Sequence, residues 1–146
     1  MVYLDTSFLA PLILNEQTSV EVEHFIVSLT PATLAISHWT RVEFSSLLAR
    51  RVRMGGLATL EARAAETQFD AVIDETFTVY APTVDDFDLA KDYLRNHETG
   101  LRAGDALHLA IAKNRAAEAI YSLDKGMLRA GETLGLPTYR GITSGV

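Results

Sequence analysis

Cysteine is absent from this chain. Its absence excludes disulfides, thiolate metal sites and a thiol nucleophile, and it suits a reducing cytoplasm. Long apolar runs are absent too: no uncharged apolar run approaches the ~18 residues that a membrane span needs. The opening MVYLDTSFLAPLIL has no basic region, and Asp5 interrupts it early, so a signal peptide is not expected. Positive charge is scarce, with thirteen Lys and Arg against nineteen Asp and Glu and a formal net charge of −6. That argues against a simple basic coat for nucleic acid. It does not exclude a nuclease, because a metal ion can supply the missing positive charge. No repeat, low-complexity tract or long linker divides the chain.

What is present is ordinary globular composition. Hydrophobic residues make up 48% and charged residues 22% of 146 residues, and the mean hydropathy is +0.10. One domain spanning residues 1–146 is expected. The charge is unevenly placed. Residues 41–60 hold Arg41, Arg50, Arg51 and Arg53 against Glu43 alone, whereas residues 66–98 hold nine acids against Lys91 and Arg95. Each patch reads as a solvated helix face or, for the first, as a wall for a phosphate backbone.

Short apolar runs alternate with longer amphipathic ones. Val2–Leu4, Leu34–Ile36, Phe77–Val79, Ala119–Ser122 and Thr138–Tyr139 read as strands. Phe8–Leu14, Val20–Leu29, Arg41–Arg53, Ala58–Asp74, Val84–Asn96, Ala106–Asn114 and Lys125–Leu134 read as helices. Capping spacings mark three starts: Thr18 to Glu21, Thr40 to Glu43 and Thr83 to Asp86. Glycines at 55, 56, 100 and 135 mark stops. The alternation predicts an α/β fold with a parallel sheet covered on both faces. Helices outnumber strands, so some crossovers must carry two.

Ligands of an open parallel sheet bind beyond the carboxyl ends of its strands. Four acids map to that edge. Asp5 follows the first strand and Asp124 the fourth. Glu43 is expected in the first turn of the helix after the second strand, and Asp105 opens the helix leading into the fourth. Each also has a plain structural reading: Asp5 as a helix cap, Glu43 as the end of a capping box, Asp105 as a helix-dipole acid, Asp124 as a turn residue. Asp5 and Asp105, however, sit in nearly apolar surroundings, where a carboxylate needs a partner or a cation. Oxygen ligands without cysteine suit a hard cation, magnesium or manganese. Thr6 and Ser7 stand at a helix start beside Asp5, placed to hold a phosphate or simply to cap. His108 lies one helical turn after Asp105; it reads first as a packed core histidine, with support of the acids as the alternative. Arg102 reads as surface or as a phosphate or acid contact.

Tyr3-Leu4-Asp5-Thr6-Ser7, Thr40-Arg41-Val42-Glu43-Phe44, Gly104-Asp105-Ala106-Leu107-His108-Leu109-Ala110 and Ser122-Leu123-Asp124 occur in this order. In these four pieces the chain resembles PIN-domain ribonucleases of the VapC toxin type, over essentially its whole length. The resemblance implies a three-layer α/β/α PIN-like domain, with a central parallel sheet of four to five strands and about seven helices. It implies a magnesium-dependent endoribonuclease, cytoplasmic, acting on RNA and restrained by a small antitoxin protein. It carries catalytic metal-ligand roles onto Asp5, Glu43, Asp105 and Asp124, and Ser122 fits the small hydroxyl residue expected there. A homodimer is expected. The alternative is a catalytically idle binding module on the same scaffold. For the antitoxin, the unusually apolar Phe8–Leu14 and the helix Ala58–Asp74 suggest a groove; burial of that segment within the monomer or in a homodimer is the other reading.

Overall fold

The computed structural model describes residues 1–145. Five short strands carry the sheet: β1 (Val2–Leu4), β2 (Leu34–Ser37), β3 (Thr78–Tyr80), β4 (Ala119–Tyr121) and β5 (Thr138–Tyr139). They lie in the order β3-β2-β1-β4-β5, every neighbouring pair parallel. A parallel neighbour requires a crossover, and three of the four carry two helices. These are α1 (Thr6–Ile13) with α2 (Ser19–Ser28), α3 (His38–Arg53) with α4 (Thr59–Thr76), and α5 (Val84–Arg95) with α6 (Ala103–Asn114). A single helix, α7 (Lys125–Thr133), connects β4 to β5.

The period-two alternation of the strands divides the core into two layers. Leu4, Leu34 and Ile36 point to one face and pack with Phe8, Val22, Phe44, Leu48, Phe69 and Ile73 from α1–α4. Tyr3, Ala35 and Ile120 point to the other and pack with Leu107, Leu109, Ile111 and Met127 from α6 and α7. Burying each large side chain stabilises the fold by roughly 1.5–3 kcal/mol. Phe44 and Phe69 stack with centroids 4.0 Å apart, fixing α3 on α4.

Some boundaries differ from the sequence expectation. Helix α3 begins at His38, three residues before the expected start. Ser37 is its N-cap, and its backbone N–H donates to Thr40 Oγ1 at 3.3 Å. The box is therefore Ser37 with Thr40, not Thr40 with Glu43. Helix α6 likewise begins at Ala103 rather than Ala106. Thr18 holds the N-cap position of α2 without a side-chain bond. Glu21 instead accepts from the backbone N–H of Thr143 and Ser144, because the C-terminal segment folds back over α2. The third box is as expected, with the Thr83 N–H donating to Asp86 Oδ2 at 2.8 Å.

The apolar excess of α1 goes mainly into the core: Phe8, Leu9, Ala10, Pro11 and the following Leu14 are buried, and Leu12 and Ile13 half-buried. That is the monomer-burial reading of the segment, and it leaves little of α1 to line a partner groove. Among the described residues no helix is long and apolar enough to cross a membrane.

Candidate active site

The carboxyl edge of the sheet gathers all four acids. Asp5 leaves β1 and caps α1, accepting from Phe8 N at 3.0 Å. It is only 3% exposed. Ser7 Oγ donates to its Oδ1 at 2.8 Å, and Ser122 Oγ to its Oδ2 at 2.6 Å. Glu43 stands in the second turn of α3, free of any capping duty. Asp105 is in the first turn of α6, where the helix dipole favours negative charge. Asp124 caps α7, accepting from Met127 N at 2.7 Å. The capping readings of Asp5 and Asp124 thus hold alongside their convergence.

These four acids, with Thr6, Ser7, Arg50 and Arg53, line a cavity of about 330 Å³. Thr6 Oγ1 donates to Glu43 Oε1 at 2.6 Å. Ser122 also accepts from Asp124 N at 3.0 Å, so one hydroxyl ties β4, Asp5 and the start of α7 together. Gly104 makes the close approach of α6 to α3 feasible. A Cβ there would stand 2.9 Å from Glu43 Oε2 and 3.4 Å from the Trp39 indole.

His108 is the basic group inside the cluster. It is 1% exposed. Its Nδ1 shares a 2.9 Å hydrogen bond with Tyr3 OH, which also donates to Ser37 Oγ at 2.9 Å. Its Nε2 pairs with Glu43 Oε1. Burial disfavours the imidazolium, but Tyr3, Glu43 and Asp5 around it outweigh burial and raise its pKa. Burial also pushes Glu43 upward, yet His108 and the Thr6 hydrogen bond bring it below the ordinary carboxylate value. Asp5 is raised by burial against the opposing effects of His108, Ser122, Ser7 and the Phe8 amide. Asp105 is pushed up to about 6 by burial and by the nearby charge of Asp124, with smaller contributions from Asp5 and Glu43 and opposition from His108. The cluster therefore holds more negative charge than its own cations offset.

The donor set is oxygen-only and fits a hard divalent cation. Among the described residues no three Asp, Glu or His side chains already form a closed ligand cage. Oxygens of Asp5, Glu43 and Asp124 are engaged by hydroxyls, amides and His108 instead. A bound cation would substitute for some of these partners.

The remaining sequence-based sites divide. Arg102 is exposed, precedes α6 and does not line the cavity. Arg50 and Arg53 do line it, whereas Arg51 pairs with Glu16 at 2.6 Å. Tyr3 and Ser37 were not legible as site residues, because Tyr3 reads as strand core and Ser37 lies just past the expected end of the second strand at Ile36. His108 was legible through its spacing from Asp105, but its pairing with Glu43 depends on how α3 and α6 meet.

Residues 2–132 match the family model described as the PIN domain. Similar solved structures include VapC20 of Mycobacterium tuberculosis, a sarcin-ricin loop cleaving toxin, at 24% identity and TM-score 0.71 over 90% of this chain and 95% of that one. FitAcB of Neisseria gonorrhoeae has 16% identity and TM-score 0.75 over 97% and 98%. A toxin-antitoxin complex of Klebsiella pneumoniae has 19% identity and TM-score 0.65, also over 97% and 98%. No curated protein matches the chain closely in sequence. With the family model spanning all but the last part of the chain, and the fold shared with these structures, the protein belongs to the PIN domain family.

Proposed function

We propose that this chain, acting as one PIN-like unit over residues 1–146, is a magnesium-dependent endoribonuclease and the toxin of a toxin-antitoxin pair. The observation that carries the reading is the convergence of Asp5, Glu43, Asp105 and Asp124 on one cavity, with Asp105 pushed up to about 6 by burial and by its acidic neighbours. Family membership and the toxins among the similar structures support it.

Asp5, Glu43, Asp105 and Asp124 would hold magnesium, with manganese as its substitute. Such a cation supplies Lewis acidity, a more acidic water and neutralisation of charge on the phosphate. Ser7 and Ser122 fix both oxygens of Asp5, and Thr6 fixes Glu43, so the ligands are oriented before substrate arrives. His108 offsets part of the acids' charge and anchors Glu43 from below. Arg50 and Arg53, on the cavity wall, attract the phosphate backbone. No side-chain nucleophile is required.

An antitoxin would block the cavity by placing a basic side chain among the acids, and self-association into a homodimer completes the reading. Purified protein should cut total RNA with magnesium or manganese and stop in EDTA. Full cutting in EDTA rejects the mechanism. Co-purification with a small protein encoded beside it, with cutting suppressed, tests the toxin assignment, and light scattering tests the dimer. One observation favours an idle binding module instead: the pairing of Glu43 with His108, which occupies a carboxylate oxygen that a metal would need. Absence of cutting with either metal, in a folded protein, would select that reading.

A further inference from the structure

A second cationic feature begins next to the acid cavity. Lys125 directly follows Asp124 and opens α7. Arg129 lies one turn along the same helix face, ~6 Å further at the usual rise. Both are exposed. Arg140, just beyond β5, lines the same groove, as does Tyr139, 51% exposed, whose ring lies 6.0 Å from that of Tyr121. Together they line a groove of about 700 Å³ between α7 and β5, whose only acid is Glu132. Four arginines elsewhere have acidic partners: Arg41 with Asp70, Arg51 with Glu16, Arg95 with Asp92 and Arg115 with Asp86. Among the described residues Lys125, Arg129 and Arg140 form no ion pair, and Arg140 instead donates to the carbonyl of Ser144 at 2.8 Å.

The groove has a firm floor. A side chain at Gly131 would collide with Thr138, so α7 sits directly on β5. Unpaired cations and an exposed aromatic ring are the chemistry that binds single-stranded nucleic acid: charge tracks the phosphates and the ring stacks a base. In a chain of net charge −6, three cations gathered with one acid, Glu132, next to the acid cavity call for an anionic occupant.

We propose that this groove carries single-stranded RNA away from the acid cavity, with Lys125 and Arg129 on phosphates and Tyr139 against a base. The inference rests on the ribonuclease reading for its ligand, but it concerns binding rather than cutting. Arg50 and Arg53 then meet the strand within the acid cavity itself.

The test measures binding of single-stranded RNA by fluorescence anisotropy in EDTA, where the proposed metal is withheld, across a salt series. Lys125→Gln with Arg129→Gln should lower the slope of log affinity against log salt by about 1.4, at ~0.7 per phosphate contact. Tyr139→Ala should weaken binding about five-fold or more. Both variants should melt like the parent, since the three side chains are exposed. Equal slopes for parent and double variant overturn the proposal, as does a parent that binds polyglutamate but no RNA. A parent that cuts nothing with any metal, yet whose salt slope falls in the variant, would remove the nuclease reading and leave the groove standing.

Discussion

Two buried aspartates in this protein have opposite fates. Asp86, in the first turn of α5, is fully buried. It accepts from Arg115 at 2.6 Å, from Asn114 at 2.8 Å and from the Thr83 amide. Burial pushes its pKa upward, but these partners more than compensate and hold it below the ordinary value. Asp5 is almost as buried, and burial raises its pKa because His108, two hydroxyls and an amide do not fully offset it. Asp105 beside it is raised as well. The α5–α6 corner is complete within the chain. The carboxyl edge of the sheet is short of positive charge, which marks it as the place where something from outside is to be bound.

Removing a carboxylate charge should separate the two regions most sharply. Asp105→Asn should reduce RNA cleavage about a thousand-fold or more, the scale of losing one electrostatic contributor to the transition state. Its metal-free melting temperature should stay level or rise, because a repelling charge has gone. A fall of several degrees would place Asp105 with Asp86 as a structural acid.

Breaking the complete corner comes next. Arg115→Ala strands the buried Asp86 charge and should destabilise the protein by about 3 kcal/mol in urea unfolding. A change below roughly 1 kcal/mol would show that Asn114 and Thr83 suffice.

Filling the incomplete region should stabilise it. Magnesium at a hundred times its dissociation constant should add about 2.7 kcal/mol to the parent, since it binds only the folded chain. Asp5→Asn should lose most of that gain. An equal gain in both proteins would place the ion elsewhere.

The smallest effect is in pH. In metal-free protein, the Asp105 pKa is raised when folded, so its charge is a penalty that grows as pH rises from near 4 through about 6. Asp86 has the opposite sign. Its stabilising contribution is present above its unfolded pKa and is lost as pH falls through its lower folded value. Unfolding curves for Asp105→Asn should therefore lack a loss of stability seen in the parent between pH 4 and 6, while both fade in stronger acid. Parallel profiles from pH 4 to 7 would count against the unbalanced-charge account.

The alternation of strands and helices, the paired crossovers and the edge carrying the four acids were all legible, because periodicity and chain order express local physics. Boundaries were less so. Thr40-Arg41-Val42-Glu43 reads as a capping box, but Ser37 caps the helix earlier, and the shift frees Glu43 to face the cavity. Arg102, adjacent in sequence to Asp105, stays outside, while Arg50 and Arg53, distant in sequence, reach the wall.

By itself the sequence determined which residues are available for chemistry: oxygen ligands without thiolates, placed where strands end. Only the tertiary structure decided which partners each acid receives. Asp86 and Asp5 follow the same local rules at helix starts, yet Arg115 arrives 29 residues from one, and Ser122 arrives 117 residues from the other. Whether a buried charge is matched depends on what long-range packing brings beside it, and a chain's local pattern carries no record of that.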